Sequence, residues 1–190
     1  MVFSAIEHTN NYFMEKSKEV IEVLNDLVMI NNDRIKGYQS AIKGLRTDDG
    51  DLKTLFDHMI LESQQIKSDL AHEIQVLHGG VEQGTSRMGK IYRMWAQVKA
   101  VFSGMNRNEV LSNCDSGEEA TLQSYQKALE KDRLPKFIRE MLSTQQMTIT
   151  NAKSRSETDS KPRPGTKWKA TPRARRSSVP TTWTIQACRG

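Results

Sequence analysis

Apolar residues recur at steps of three and four through most of residues 17–153, and that spacing predicts long packed helices. The first stripe is Val20, Leu24, Leu27, Ile30 or Asn31, Ile35, Tyr38, Ile42 and Leu45, which predicts a helix from Ser17 to Leu45. Thr47-Asp-Asp-Gly50 reads as a turn, with a cap available at Asp49 or Asp51. The second stripe runs through Leu52, Phe56, Met59, Ile60, Ile66, Leu70 and Ile74 to Leu77, and Gly79-Gly80 should stop it. A glycine-bearing link from Val81 to Gly89 is long enough to cross the end of a bundle. A third helical stretch begins near Lys90 with Ile91, Met94, Trp95, Val98 and Phe102 on one side. That side suits a core helix better than a basic amphipathic helix for a membrane or a protein groove. Ser103-Gly104 interrupts the pattern, which resumes from Arg107 to Lys131 with Val110, Leu111, Cys114, Leu122, Tyr125 and Leu129. Pro135 fits the first turn of a last helix carrying Phe137, Ile138, Met141, Leu142, Ile149 and Ala152. The fold class is therefore all-α: a four-helix bundle with long antiparallel helices and a kinked or split third helix.

The chain divides into two regions of unlike character. Residues 1–153 form the bundle domain. Residues 154–190 hold four of the five prolines, many Ser and Thr, and the run Arg173-Ala-Arg175-Arg176. That segment carries +7 and the bundle −2 of the total charge of +5, so the basic character belongs to the tail. Its composition predicts a disordered or non-native extension. A nucleic-acid partner is expected, if anywhere, only through this tail. No apolar run approaches the ~18–20 residues of a membrane span, so no membrane partner is expected. The start of the chain does not read as a secretory signal. Cys114 and Cys188 match no metal or redox spacing, which leaves a reduced, cytoplasmic setting as the expectation.

Polar residues on the inward faces carry the chemistry. Stepping through the third helix places Glu118 on the seam between Cys114 and Leu122. A buried carboxylate is costly unless it is paired or holds a metal. Glu62 lies near the same face of the second helix. A di-iron bundle takes one Glu from each of two helices and Glu-x-x-His from each of the other two. Here Glu62-Ser-Gln-Gln65 has Gln65 at the histidine position, and the inner half of the last helix offers only Thr148, Thr150, Asn151 and Lys153. His58, four residues before Glu62, could add a nitrogen ligand, and Asp33 a further oxygen. Without metal, Glu118 is expected to meet Lys36, Asn31 or Gln65 in a polar network. Asp33, Arg34, Asp115 and Glu119 read as surface charges, and Cys114 as an inert buried thiol. His58 and Ser63 do not form a nucleophile–base pair.

Several segments together resemble a bacterial ferritin-like four-helix-bundle family known as a domain of unknown function. They are Leu24-Asn-Asp-Leu27, Asn31-Asn-Asp-Arg-Ile-Lys-Gly-Tyr38, Leu52-Lys-Thr-Leu-Phe56 and Glu62-Ser-Gln-Gln65. Gly89-Lys-Ile-Tyr-Arg-Met-Trp95, Val98-Lys-Ala100, Leu111-Ser-Asn-Cys114, Gly117-Glu-Glu-Ala120 and Tyr125-Gln-Lys-Ala-Leu129 follow in order. The resemblance spans about residues 20–150 and implies a ferritin-like arrangement. It also implies Glu at or beside Ile35–Lys36, Glu at 118 and a histidine motif late in the last helix. The first and last of these are missing here.

Two functions are thus in view. One is a non-enzymatic bundle, structural or protein-binding, with a degenerate di-metal site, no cofactor and a homodimeric state. The alternative is a metal-binding ferritin-like oxidoreductase or stress protein holding iron or manganese through Glu62, Glu118, His58 and Asp33. On the first reading Glu118→Leu should keep the fold, since packing can replace a buried polar network.

Overall fold

The computed structural model describes the backbone of residues 2–85, Trp95 and 107–160, and the side chains of 14–85, Trp95 and 107–155. Four long helices fill these residues: α1 (Val2–Gly44), α2 (Gly50–Val76), α3 (Arg107–Leu129) and α4 (Lys136–Ser160). Helix α1 begins well before the expected Ser17, because residues 2–16 contain neither glycine nor proline to stop it. Helix α4 runs to Ser160, past the last apolar residue of its stripe. The first piece of the expected split third helix lies outside the described residues except for Trp95, which is helical. The expected tail beyond residue 160 lies outside them as well.

Cross-helix contacts fix the topology. Arg34 meets Ser63, and Tyr38 meets Phe56, so α1 and α2 are antiparallel. Asn31 meets Tyr125, and Tyr38 meets Glu118, so α1 and α3 are also antiparallel. Helix α4 then runs against α3, with Tyr125 on Gln145 and Glu119 on Lys153. Helices α2 and α3 are therefore parallel on a diagonal, and the chain between them must travel back along about 40 Å of helix. Arg107, opening α3, clasps both carboxylate oxygens of Asp51 at 2.9 and 2.7 Å beside the start of α2. Asp49 holds the expected cap position, but its side chain makes no cap bond and lies 3.3 Å from Arg107 instead.

The returning link follows α1. Asn25 donates to the Gly80 carbonyl and accepts from the Glu82 amide, both at 2.8 Å. Two turns later, Asn32 donates to the Gly84 carbonyl at 2.7 Å. Trp95 is buried between α1 and α3 at Gly37 and Gly117. A Cβ on Gly37 would fall 1.9 Å from its ring, and one on Gly117 2.5 Å. The indole also meets the Tyr38 ring edge-on at 5.1 Å. The two glycines thus form a slot that only their missing side chains allow.

The α2 stop differs from the expectation. His78, not a glycine, takes the left-handed conformation at φ 60°. Its amide donates to Gln75, and that of Gly79 to Ile74, which closes a Schellman cap. Gly79 serves close approach instead, since a Cβ there would lie 2.8 Å from Ile21.

The apolar core comes in two clusters. One centres on Leu24, Leu27, Leu70, Ile74, Ile138 and Leu142. The other centres on Tyr38, Leu52, Phe56, Met59, Trp95 and Cys114. Phe137, expected inward, is exposed, and the buried Ile138 beside it takes the core position. No helix among the described residues is long and apolar enough to cross a membrane.

Two measurements test this account. Gly37→Ala and Gly117→Ala should each destabilise by about 1–3 kcal/mol through overpacking, although alanine is the better helix former. With Trp168 and Trp183 replaced by Phe, Trp95 emission should shift red as the ring leaves its slot; unchanged emission and stability would contradict the slot. His78→Gly should stabilise by about 1 kcal/mol in denaturant titration by removing left-handed strain. A loss of stability would contradict the cap.

Candidate functional site: a buried polar layer

A layer of buried polar side chains crosses the bundle interior. Helix α1 supplies Asn31, Asp33 and Arg34, α2 supplies Ser63, α3 supplies Glu118 and Thr121, and α4 supplies Gln145. Arg34 and Glu118 are both fully buried. Arg34 Nε donates to Glu118 Oε1 at 2.8 Å, and Nη2 lies 2.8 Å from the same oxygen. Tyr38 OH donates to Oε1 as well. Arg34 Nη1 donates to Ser63 Oγ at 2.6 Å and reaches the Met59 carbonyl at 3.4 Å. Ser63 in turn donates to that carbonyl at 2.7 Å.

A second network adjoins it. Asn31 donates to Tyr125 OH at 2.9 Å, and Tyr125 donates to Gln145 Oε1 at 3.3 Å. Thr121 accepts from the Trp95 indole at 3.4 Å and donates to the Gly117 carbonyl. The other three helices are thereby tied to α1 through polar groups, and Trp95 of the link is tied to α3.

Charge in this layer is balanced by the protein. Burial alone would push the Arg34 guanidinium down, but the neighbouring Glu118, Tyr38 and Glu62 hold it above its ordinary value. Burial first, and then the Glu118 charge, keep the Tyr38 hydroxyl protonated well above its usual range. Burial likewise pushes the Cys114 thiol up, followed by Glu118 and Asp115. Cys114 is therefore a protonated core thiol, as its apolar position suggested.

The residues singled out for a metal do not converge. Glu118 is inward as expected, but its partners are Arg34 and Tyr38 rather than Lys36, Asn31 or Gln65. Lys36 is exposed, and Gln65 is exposed and bonded to Asp69. Glu62 is partly buried and pairs with Arg155 across to α4. His58 is exposed, and among the described residues no contact joins it to Glu62. Asp33 and Arg34, expected on the surface, are both buried. Asp115 and Glu119 do lie towards the surface, where Lys153 pairs with both. Gln145, which the stripe of α4 did not single out, is the buried polar residue of that helix. Its sequence signal is the step of three from Leu142 and of four to Ile149.

The ligand set of a di-iron bundle does not fit these positions. The acid-x-x-histidine pattern is replaced by Glu62-x-x-Gln65 in α2 and Glu118-x-x-Thr121 in α3. Helix α1 presents an amide, the Asp33 carboxylate and a guanidinium, and α4 an amide. A guanidinium is permanently charged and has no lone pair to give a metal. Among the described residues no three His, Cys, Asp or Glu side chains are grouped so as to hold a metal ion.

Glu118→Leu, neutral on the sequence alone, now has a different expected outcome. It leaves Arg34 charged and buried without its carboxylate, so it should destabilise by about 3–5 kcal/mol. Equilibrium denaturation measures this, and a loss below ~1 kcal/mol would show that the pair does not hold the layer.

No curated protein matches the chain. A solved structure described as "Crystal structure of ferritin like, diiron-carboxylate proteins from Bacillus anthracis str. Ames" shares the fold, with a TM-score of 0.54 and 21% identity. The match covers 75% of this chain and 94% of that one. The sequence of residues 19–131 matches a family model spanning α2, α3 and most of α1. The chain accordingly belongs to the family described as "Domain of unknown function (DUF2383)".

Proposed function

We propose that this chain is a non-enzymatic helical bundle, structural or protein-binding, whose di-metal site is degenerate. The observation that carries this reading is the fully buried Arg34 on Glu118. An interior carboxylate that already has a fixed cation needs no metal for charge balance. The exposure of His58 and the engagement of Glu62 with Arg155 support the same reading. The protein would act in the cytoplasm as a homodimer, presenting helix surfaces to its partner rather than an interior to a substrate.

Elemental analysis and light scattering on protein purified without a histidine tag test this. The expected result is a dimer with iron and manganese far below one ion per chain. About two ions of either metal per chain, as in di-iron bundles, would overturn it in favour of a metal-dependent oxidoreductase.

A further inference from the structure

The contact between Arg34 and Glu118 is lopsided. A guanidinium usually meets a carboxylate as a fork, two nitrogens to two oxygens. Here Nε and Nη2 of Arg34 and the Tyr38 hydroxyl all converge on Oε1. Glu118 Oε2 is buried without a hydrogen-bond partner among the described residues, and so is Glu62 Oε2. The Glu62 charge helps to hold Arg34 above its ordinary value, while Glu62 Oε1 is itself paired with Arg155. Around the guanidinium lie oxygen donors: Glu118, the Ser63 hydroxyl and the Met59 carbonyl. That is an oxygen-rich, negatively charged setting of the kind that hard divalent cations take. The charge at its centre is a side chain of the protein itself.

We propose that Arg34 is a resident cation that keeps this carboxylate site closed to metal, and that removing its guanidinium converts Glu118, beside the Ser63 hydroxyl and the Met59 carbonyl, into a site for a hard divalent cation. The inference rests on the reading that the di-metal site is degenerate. Two physical facts support the closure. Arginine cannot shed its proton at any accessible pH, so no titration vacates the position. A divalent ion entering beside it would meet like charge in a medium of low dielectric, where repulsion is far stronger than in water. When the side chain is truncated, Glu118 is left as an uncompensated buried carboxylate, and a cation that neutralises it binds the folded state alone.

The test uses the full chain with Mn2+ as the probe, read by thermal unfolding in Mn2+ or in chelator and by electron paramagnetic titration of free Mn2+. The unaltered protein should bind no stoichiometric Mn2+ and keep its midpoint in either condition. Arg34→Ala should unfold earlier in chelator and regain roughly 2–4 °C or more in Mn2+. Its Mn2+ affinity should exceed that of the unaltered protein by ~10-fold or more. Adding Glu118→Gln to Arg34→Ala should abolish that gain. Retention of the gain would place the ion elsewhere and overturn the proposal. If Arg34→Ala folds in neither condition, Arg34→Gln decides, since its amide can still bond Glu118 without charge. No gain of Mn2+ in the folded variant overturns this inference while leaving the metal-free reading of the protein intact. Stoichiometric Mn2+ on the unaltered protein overturns both.

Discussion

The ion pair between Arg34 and Glu118 is the constraint around which the rest of this bundle is arranged. Both groups are removed from water, and the desolvation of each charge costs several kcal/mol, on the order of what the attraction returns. The pair therefore adds little net stability compared with apolar packing. Its weight lies in what it forbids. Any shift of α1 against α3 that separates the two charges strands both of them. Register between these helices is thus set by a penalty for misalignment, while the apolar clusters above and below supply the driving force. Ser63 and Tyr38 complete the arrangement by taking up other polar valences of the pair.

The link between the parallel helices α2 and α3 depends on the same stretch of α1. A ferritin-like connection returns the chain along the bundle, and such a long segment has to be fastened. Asn25 and Asn32, seven residues apart, hold its first part by bonds to backbone groups. Trp95 then fills the slot at Gly37 and Gly117. Glycine inside a helix costs about 1 kcal/mol relative to alanine. Two such costs at facing positions are offset by burying the largest side chain of the core.

The fold was legible because it depends on repetition. Steps of three and four located α2, α3 and the start of α4 to within a few residues, and Gly79 together with Pro135 marked the right connections, while α4 continues to Ser160 beyond the bound expected at 153. The start of α1 was missed because its extension rests on the absence of breakers rather than on a stripe. The site was less legible. Glu118 could be placed inward because one carboxylate interrupts an otherwise apolar seam. Arg34 could not, since it sits beside Asp33 and Lys36 in a charged run that looks solvated. The available signal was geometric: Leu27, Asn31, Arg34 and Tyr38 follow one another by fours and threes, on the face that also carries Glu118's partners. A charge on an apolar stripe calls for an opposite charge on the facing stripe, and matching the two would have paired these residues. Gln145 was overlooked for a related reason, because the search for ligands looked for acids and histidines and passed over an amide.

The eight residues from Asn31 to Tyr38 therefore do unusually varied work. Asn31 binds α3, and Asn32 binds the returning link and accepts from Lys67 of α2. Arg34 joins α2 to α3, Gly37 admits Trp95, and Tyr38 touches Phe56, Trp95 and Glu118. About two helical turns thus reach three other elements of the fold. Most of these contacts are polar or depend on a missing side chain, and both kinds tolerate misplacement poorly. An interior held in this way is charge-balanced and sterically closed before any ligand arrives. In a metal-loaded bundle the ion performs that role, and folding and metal binding become coupled. In this chain a guanidinium on α1 balances the buried carboxylate of α3 directly.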